Sequence, residues 1–294
     1  MSADPKHAEA GPGTTGPGTT GHEWDGIQEL NNPLPRWWLW IFYATVAFAL
    51  VWVVLYPAIP VPGGYTPGTL GYSTRGQGEQ ALADLQADRN VALKGIDTIP
   101  LNELKDHPQL MQAAIEGGRS AFKVYCIQCH GTGAAGAKGY PNLNDDDWLW
   151  GGSMEEIHAT IVNGARQPGN DDTHVSMMPA FGRDGILTKA QIGDVVEQVL
   201  ALSGQQHNAA MAARGKDVFA QQCASCHGPN GEGMRQFGAP SLKDGIWLYG
   251  GDRETITATV TTARAGVMPA WKDKLPESTI RQLTAYVHSL GGGE

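Results

Sequence analysis

The chain has 294 residues, 41% of them hydrophobic, and a formal net charge of −9. That is room for about two domains. An acidic balance without a basic block argues against nucleic acid as a partner and suits a basic protein instead. Four cysteines in so long a chain are too few for a disulfide framework.

Residues 10–21, AGPGTTGPGTTG, repeat Gly, Pro and Thr and bury too little apolar surface to order themselves. Residues 1–22 are therefore expected to be disordered, within a tail spanning 1–36. Residues 37–56, WWLWIFYATVAFALVWVVLY, hold no charge. At the helical rise they span roughly 30 Å, a bilayer's hydrocarbon core. Trp37, Trp38 and Trp40 crowd one end, Trp52 and Tyr56 the other, as interfacial aromatics do. A buried helix is rarely apolar on every face, and a cleaved signal is shorter and nearer the N-terminus. The segment reads as one retained transmembrane helix. Arg36 precedes it, and no Lys or Arg follows until Arg75. Positive charge stays inside, so the N-terminus is expected in the cytoplasm and the large C-terminal part outside the cytoplasmic membrane. Residues 57–108 read as a Pro- and Gly-rich stalk to 75, then a polar linker with a helix around 79–90.

From about residue 109 the chain repeats itself. Gly118 and Phe122 precede CIQCHG (126–131), as Gly215 and Phe219 precede CASCHG (223–228). DDWLWGG (146–152) matches DGIWLYGG (244–251), ATIVNGAR (159–166) matches ATVTTAR (258–264), and MMPAF (177–181) matches VMPAW (267–271). Each copy ends in an amphipathic helix, with Ile192, Val195, Val196 and Val199 as one stripe and Ile280, Leu283, Val287 and Leu290 as the other. Strand-like alternation is nearly absent. A mainly α fold is expected, with domains at 109–206 and 207–294.

All four cysteines sit in Cys-x-x-Cys-His, the attachment site of c-type haem. One helical turn presents two thiols for thioether bonds and an imidazole for the iron. A thioredoxin-like pair needs a strand–helix setting, and a four-cysteine zinc site needs pairs roughly 15–20 residues apart. Cys126, Cys129, Cys223 and Cys226 are thus expected to hold two covalent haems, with His130 and His227 as proximal ligands. Met178 and Met268, each before Pro-Ala-aromatic, are the candidate distal ligands, taken in sequence as serving the first and second haem. Met177 competes with Met178. His158 is the bis-histidine alternative at the first haem, but Thr257 matches it in the second copy, which favours a surface or supporting place. His174 lies in an insertion, 167–175, that the second copy lacks. Arg166 and Arg264 suit haem propionates or stand as solvated helix-end charges. Trp148 and Trp247 are expected at the haem or core edge.

The two repeats resemble class I cytochrome c domains, whose N-terminal helix packs against the C-terminal one. Tyr286 matches the aromatic of that second helix, whereas the first copy has Gln198. The whole chain, through HEWDGIQELNNPLPRWWLWIF (22–42), one membrane helix and two CxxCHG motifs, resembles the dihaem subunit of cbb3-type cytochrome c oxidases, the FixP/CcoP family. The resemblance implies a respiratory complex working under low oxygen. Its partners would be a haem–copper catalytic subunit and a monohaem cytochrome c subunit, with electrons arriving from a cytochrome c donor. No copper site or proton path is visible, so oxygen reduction is expected on another chain. A tethered dihaem carrier for a periplasmic dehydrogenase and a dihaem peroxidase are the competing readings. Matched methionines count against the peroxidase, which needs an open iron position. The N-terminal stretch counts against the carrier.

Overall fold

A computed structural model describes residues 18–291, and the first of them are ordered where the composition suggests a tail. Strands β1 (Thr19–Trp24) and β2 (Ile27–Leu30) form an antiparallel hairpin. Asp25 and Gly26 turn it with φ of +50° and +84°. Two left-handed residues give the primed turn that matches strand twist. Disorder to residue 22 therefore fails at Thr19–His22; residues 1–17 lie outside the described residues.

Helix α1 (Arg36–Leu55) follows Pro35 and ends at an extended Tyr56. None of its residues is buried by protein, so its apolar surface calls for lipid, and its twenty residues have the length to cross it. Beyond it the stalk makes a small ladder of β3 (Pro60–Val61) and β4 (Gly64–Tyr65). Helix α2 (Thr74–Ala92) is longer than the expected 79–90. Residues to Leu85 form one unit and residues from Gln86 a second.

The second unit holds a 3-10 turn (Leu101–Asp106), α3 (Pro108–Tyr125), α4 (Ile127–His130), α5 (Met154–Asn163) and α6 (Lys189–Leu202). The same series returns as α7 (Ala209–Gln222), α8 (Ala224–His227), α9 (Arg253–Thr262) and α10 (Glu277–His288). Ser153 with Glu156 and Thr188 with Gln191 close capping boxes on α5 and α6, satisfying the first-turn amides.

The repeats follow in tandem along the chain, but their helices do not pair within each copy. Helix α3 packs on α10, and α6 packs on α7. At the first crossing a Cβ on Gly118 would lie 2.0 Å from the carbonyl oxygen of Gln282; at the second, one on Gly215 would lie 2.0 Å from that of Asp194. Only glycine permits so close an approach. One core gathers Phe122, Ile157 and Ile161 with Ile280, Leu283 and Val287. The other gathers Phe181, Ile192, Val195 and Val199 with Phe219, Ile256 and Val260. An inner body of residues 178–262 is thus continuous in sequence, while the outer body joins 108–163 to 268–288.

A boundary at 206/207 therefore separates helices that belong together. The cause is local: only Ser203–Asn208 joins α6 to α7, and so short a connection favours direct antiparallel pairing. The linker boundary at 108 also moves. Ile96 and Leu104 are buried with Leu110, Ala114, Met154 and Ala285, and Arg281 donates to the carbonyls of Asp97 and Ile99.

Candidate haem sites and family

Each motif sits at the end of the helix that carries the crossing glycine. Cys126 caps α3 and Cys223 caps α7, and the next turn brings Cys129 with His130 and Cys226 with His227. Gly131 and Gly228 then leave the turn at φ +78°, a conformation natural to glycine. His130 Nδ1 lies 3.1 Å from the Pro141 carbonyl, and His227 Nδ1 lies 3.0 Å from that of Pro240. A carbonyl only accepts, so Nδ1 carries the proton and Nε2 keeps a lone pair for a metal. Burial lowers the pKa of both imidazoles, against a smaller opposing effect of those hydrogen bonds. The Cys126 and Cys223 thiols are pushed up to about 11, first by burial and then by the neighbouring cysteine.

The cysteine pairs lie in different cores, Cys126 with Phe122 and Cys223 with Phe219, which removes a shared zinc site. Among the described residues no three His, Cys, Asp or Glu side chains are grouped to hold a metal ion.

Met178 packs in the core of the second motif, and with Cys223, Cys226 and His227 it lines one cavity. Met268 packs against the core of the first motif, the one against which Cys126 and Ile127 also pack. The sequence-order assignment of methionine to motif is therefore reversed, because each methionine precedes the helix that has crossed. Met177 is 65% exposed and lies at the rim of the cavity that Met178 enters.

His158 lies on α5 and meets Glu277 of α10 at 2.8 Å. His174 stacks on Trp150 with centroids 4.2 Å apart and meets the Thr160 hydroxyl at 3.1 Å. Its pKa is lowered by burial and then by Arg166.

Arg166 and Arg264, one from each repeat, both line the cavity of the second motif. Arg166 donates to the Gly266 carbonyl at 2.6 Å and the Ser176 carbonyl at 3.1 Å, and lies over Trp150. Arg264 donates to the Thr255 carbonyl and lies over Tyr249. Pro141 and Pro240, which orient the histidines, were not singled out from sequence, although GYPNL (139–143) and GAPSL (238–242) repeat around them.

One buried polar atom tests whether the first site fits a haem. The Trp148 indole Nε1 has no hydrogen-bond partner among the described residues, and it packs against the core that holds Cys126. A buried donor left unpaired is costly. An anionic group on a ligand of this site would supply the acceptor, which fits a ring carrying carboxylates.

A family model described as cytochrome c oxidase, cbb3-type, subunit III matches residues 113–197 and 210–287. Another, the N-terminal domain of cytochrome oxidase-cbb3, FixP, matches residues 16–62. The chain is 50% identical to the cbb3-type cytochrome c oxidase subunit CcoP of Cereibacter sphaeroides, with 100% of both chains covered. It is 50% identical to the subunit FixP of Azorhizobium caulinodans, over 99% of this chain and 97% of that one. To the subunit CcoP of Azospirillum brasilense it is 48% identical, with 100% of both covered. One lipid-length helix, two repeats bearing Cys-x-x-Cys-His and these full-length relatives lead to one conclusion: the chain belongs to the CcoP/FixP family, the membrane-anchored electron-transfer subunits of cbb3-type cytochrome c oxidases.

Proposed function

We propose that this subunit holds two covalent c-type haems and passes electrons from a cytochrome c donor toward a haem–copper oxygen-reducing subunit, beside a monohaem cytochrome c subunit. Cys126, Cys129, Cys223 and Cys226 would hold the rings by thioethers. His130 and His227 would offer Nε2 to the irons, and Met178 and Met268 a thioether sulfur. A bound haem supplies a one-electron iron couple, and sulfur ligation raises its potential. The observation that carries this reading is the matched pair of histidines, each with Nδ1 held by a proline carbonyl. Arg166 and Arg264 would meet carboxylates of the second haem, since guanidinium forks suit them.

The α1 helix would cross the inner membrane once, N-terminus in the cytoplasm and both haem bodies in the periplasm. The Arg36 flank supports that orientation. The test is a count of covalent haem per chain: two in the wild type, one after Cys126→Ala with Cys129→Ala. Retention of two in that variant would refute the assignment. A reporter fused after Glu294 should be active only in the periplasm.

A further inference from the structure

We infer that the hairpin of β1 and β2 is a docking element for the cytoplasmic loops of a multi-span subunit of the same oxidase. This rests on the topology proposed above, with the N-terminus in the cytoplasm. Every residue of both strands is exposed. Trp24 and Ile27 pair across the strands, yet they are 68% and 73% exposed. Leu30 and Leu34 extend this exposed apolar surface toward the membrane helix. Beside the ladder, Thr20 donates to Glu29 and Gln28 donates to Glu23, both in exposed positions. A lone two-stranded hairpin is marginal at best in water. With its indole and aliphatic side chains in solvent, this one gains little from apolar burial, so its folded form calls for a surface that covers it.

The chain fixes where that surface lies. Only residues 31–35 separate the hairpin from α1, a reach of at most about 20 Å. Pro33 and Pro35 stiffen the connection. Trp37, Trp38 and Trp40 then open the helix with the aromatics that sit at headgroup level. Charge selects what covers the hairpin there. From residue 18 to 35 the chain carries Glu23, Asp25 and Glu29 and no Lys or Arg. The cytoplasmic leaflet is itself negative and attracts basic segments, so it repels this one. A second copy would bring the same three carboxylates and be repelled as well. Cytoplasmic loops of multi-span membrane proteins carry an excess of Lys and Arg. They offer the opposite charge at the level where the hairpin sits. Complementary charge steers the encounter and fixes its register, and Trp24 is the kind of side chain that anchors such a contact once covered.

The test uses the full chain in its own membranes. Benzoylphenylalanine placed at Trp24, or at Ile27 in a second variant, should on irradiation join a multi-span oxidase subunit. Mass spectrometry should place the joined residue in a cytoplasmic loop that carries Lys or Arg. Glu23→Lys with Glu29→Lys should lower both that adduct and the recovery of the same subunit with this chain about tenfold. Covalent haem per chain should stay as in the wild type. Glu23→Gln with Glu29→Gln keeps acceptors for Thr20 and Gln28, so the hairpin's own bonds survive, and its recovery should fall between the two. Adducts with lipid alone, adducts with a second copy of this chain, or no adduct at either position overturn the docking and leave the topology standing, which the reporter after Glu294 measures separately. An adduct on a loop of the opposite side of the membrane overturns topology and docking together. Recovery unchanged by either pair of substitutions overturns the charge-selected partner.

Discussion

At Ala263 the backbone ending α9 takes φ +55° and ψ 160°, a region almost reserved for glycine. The matched residue ending α5 is Gly164, at φ +70°. There a Cβ would also come within 2.3 Å of the Met268 carbonyl oxygen. Ala263→Gly should therefore stabilise the inner body by about 1 kcal/mol, net of glycine's greater chain entropy, seen as a thermal midpoint raised by a few degrees. Asp147 makes a pH-dependent counterpart. Burial, then Asp244 and Asp145, push its carboxyl up to about 6, against a lowering by Arg235. The folded chain thus holds this proton more tightly than the unfolded chain, whose Asp releases it near pH ~4. Stability is lost as pH rises from there to about 6. Asp147→Asn, which does not titrate, should gain on the wild type across that window, by about 1 kcal/mol after discounting for solvent screening. The candidate haem-holding residues could be named from sequence because Cys-x-x-Cys-His permits little else. The carbonyls of Pro141 and Pro240 were not, because a backbone acceptor leaves no mark in side-chain chemistry.

Among the elements, α6 and α9 are tied by a buried carboxylate. Arg253 donates to Glu197 at 2.7 Å, and the Asn208 amide donates to it at 2.6 Å. The Arg253 hydrogen bond foremost holds the Glu197 carboxyl below its ordinary value, with His207 adding charge and burial opposing. Such a group stabilises above its unfolded pKa, and that contribution disappears as pH falls through the folded one. Glu197→Gln should destabilise at pH 7 by about 1 kcal/mol, since the Arg253 end is half exposed and screened. In pH-resolved thermal melts the two curves should converge once pH drops below the depressed value. A constant gap down to low pH would show that the charge contributes nothing. Helices were readable here from their apolar stripes and caps. The hairpin at 19–30 was not read, although Asp-Gly between Trp24 and Ile27 is a strong turn signal; the neighbouring Gly-Pro-Thr repeat drew the boundary too far along.

On the scale of the whole molecule, the repeat, the membrane helix and the number of haem motifs could be read from one sequence. Which half joins which could not, because apolar stripes of α6 and α10 are interchangeable as stripes. Only Asp194, Glu197 and their partners distinguish them, and each pair lies on different helices of different copies. Inner and outer bodies yield a sharp prediction for truncation. A chain ending after Ala265 lacks Met268 and α10, yet keeps every element of the inner body. It should retain a methionine-ligated haem on Cys223 and Cys226 and lose that ligation on Cys126 and Cys129. Mass spectrometry of haem peptides together with the near-infrared band measures both; side-by-side domains would give the opposite result.

Nesting one body inside the other also orders events during synthesis. The inner body has all of its helices once α9 has left the ribosome. The outer body begins earlier, with α3 ahead of α6 in the chain, but stays open until α10 arrives. Its loop must close around an already folded insert, and long closures are slow. The thiols made first, Cys126 and Cys129, are therefore the last to be enclosed. Maturation would run from the second motif back to the first, against the direction in which the chain is made.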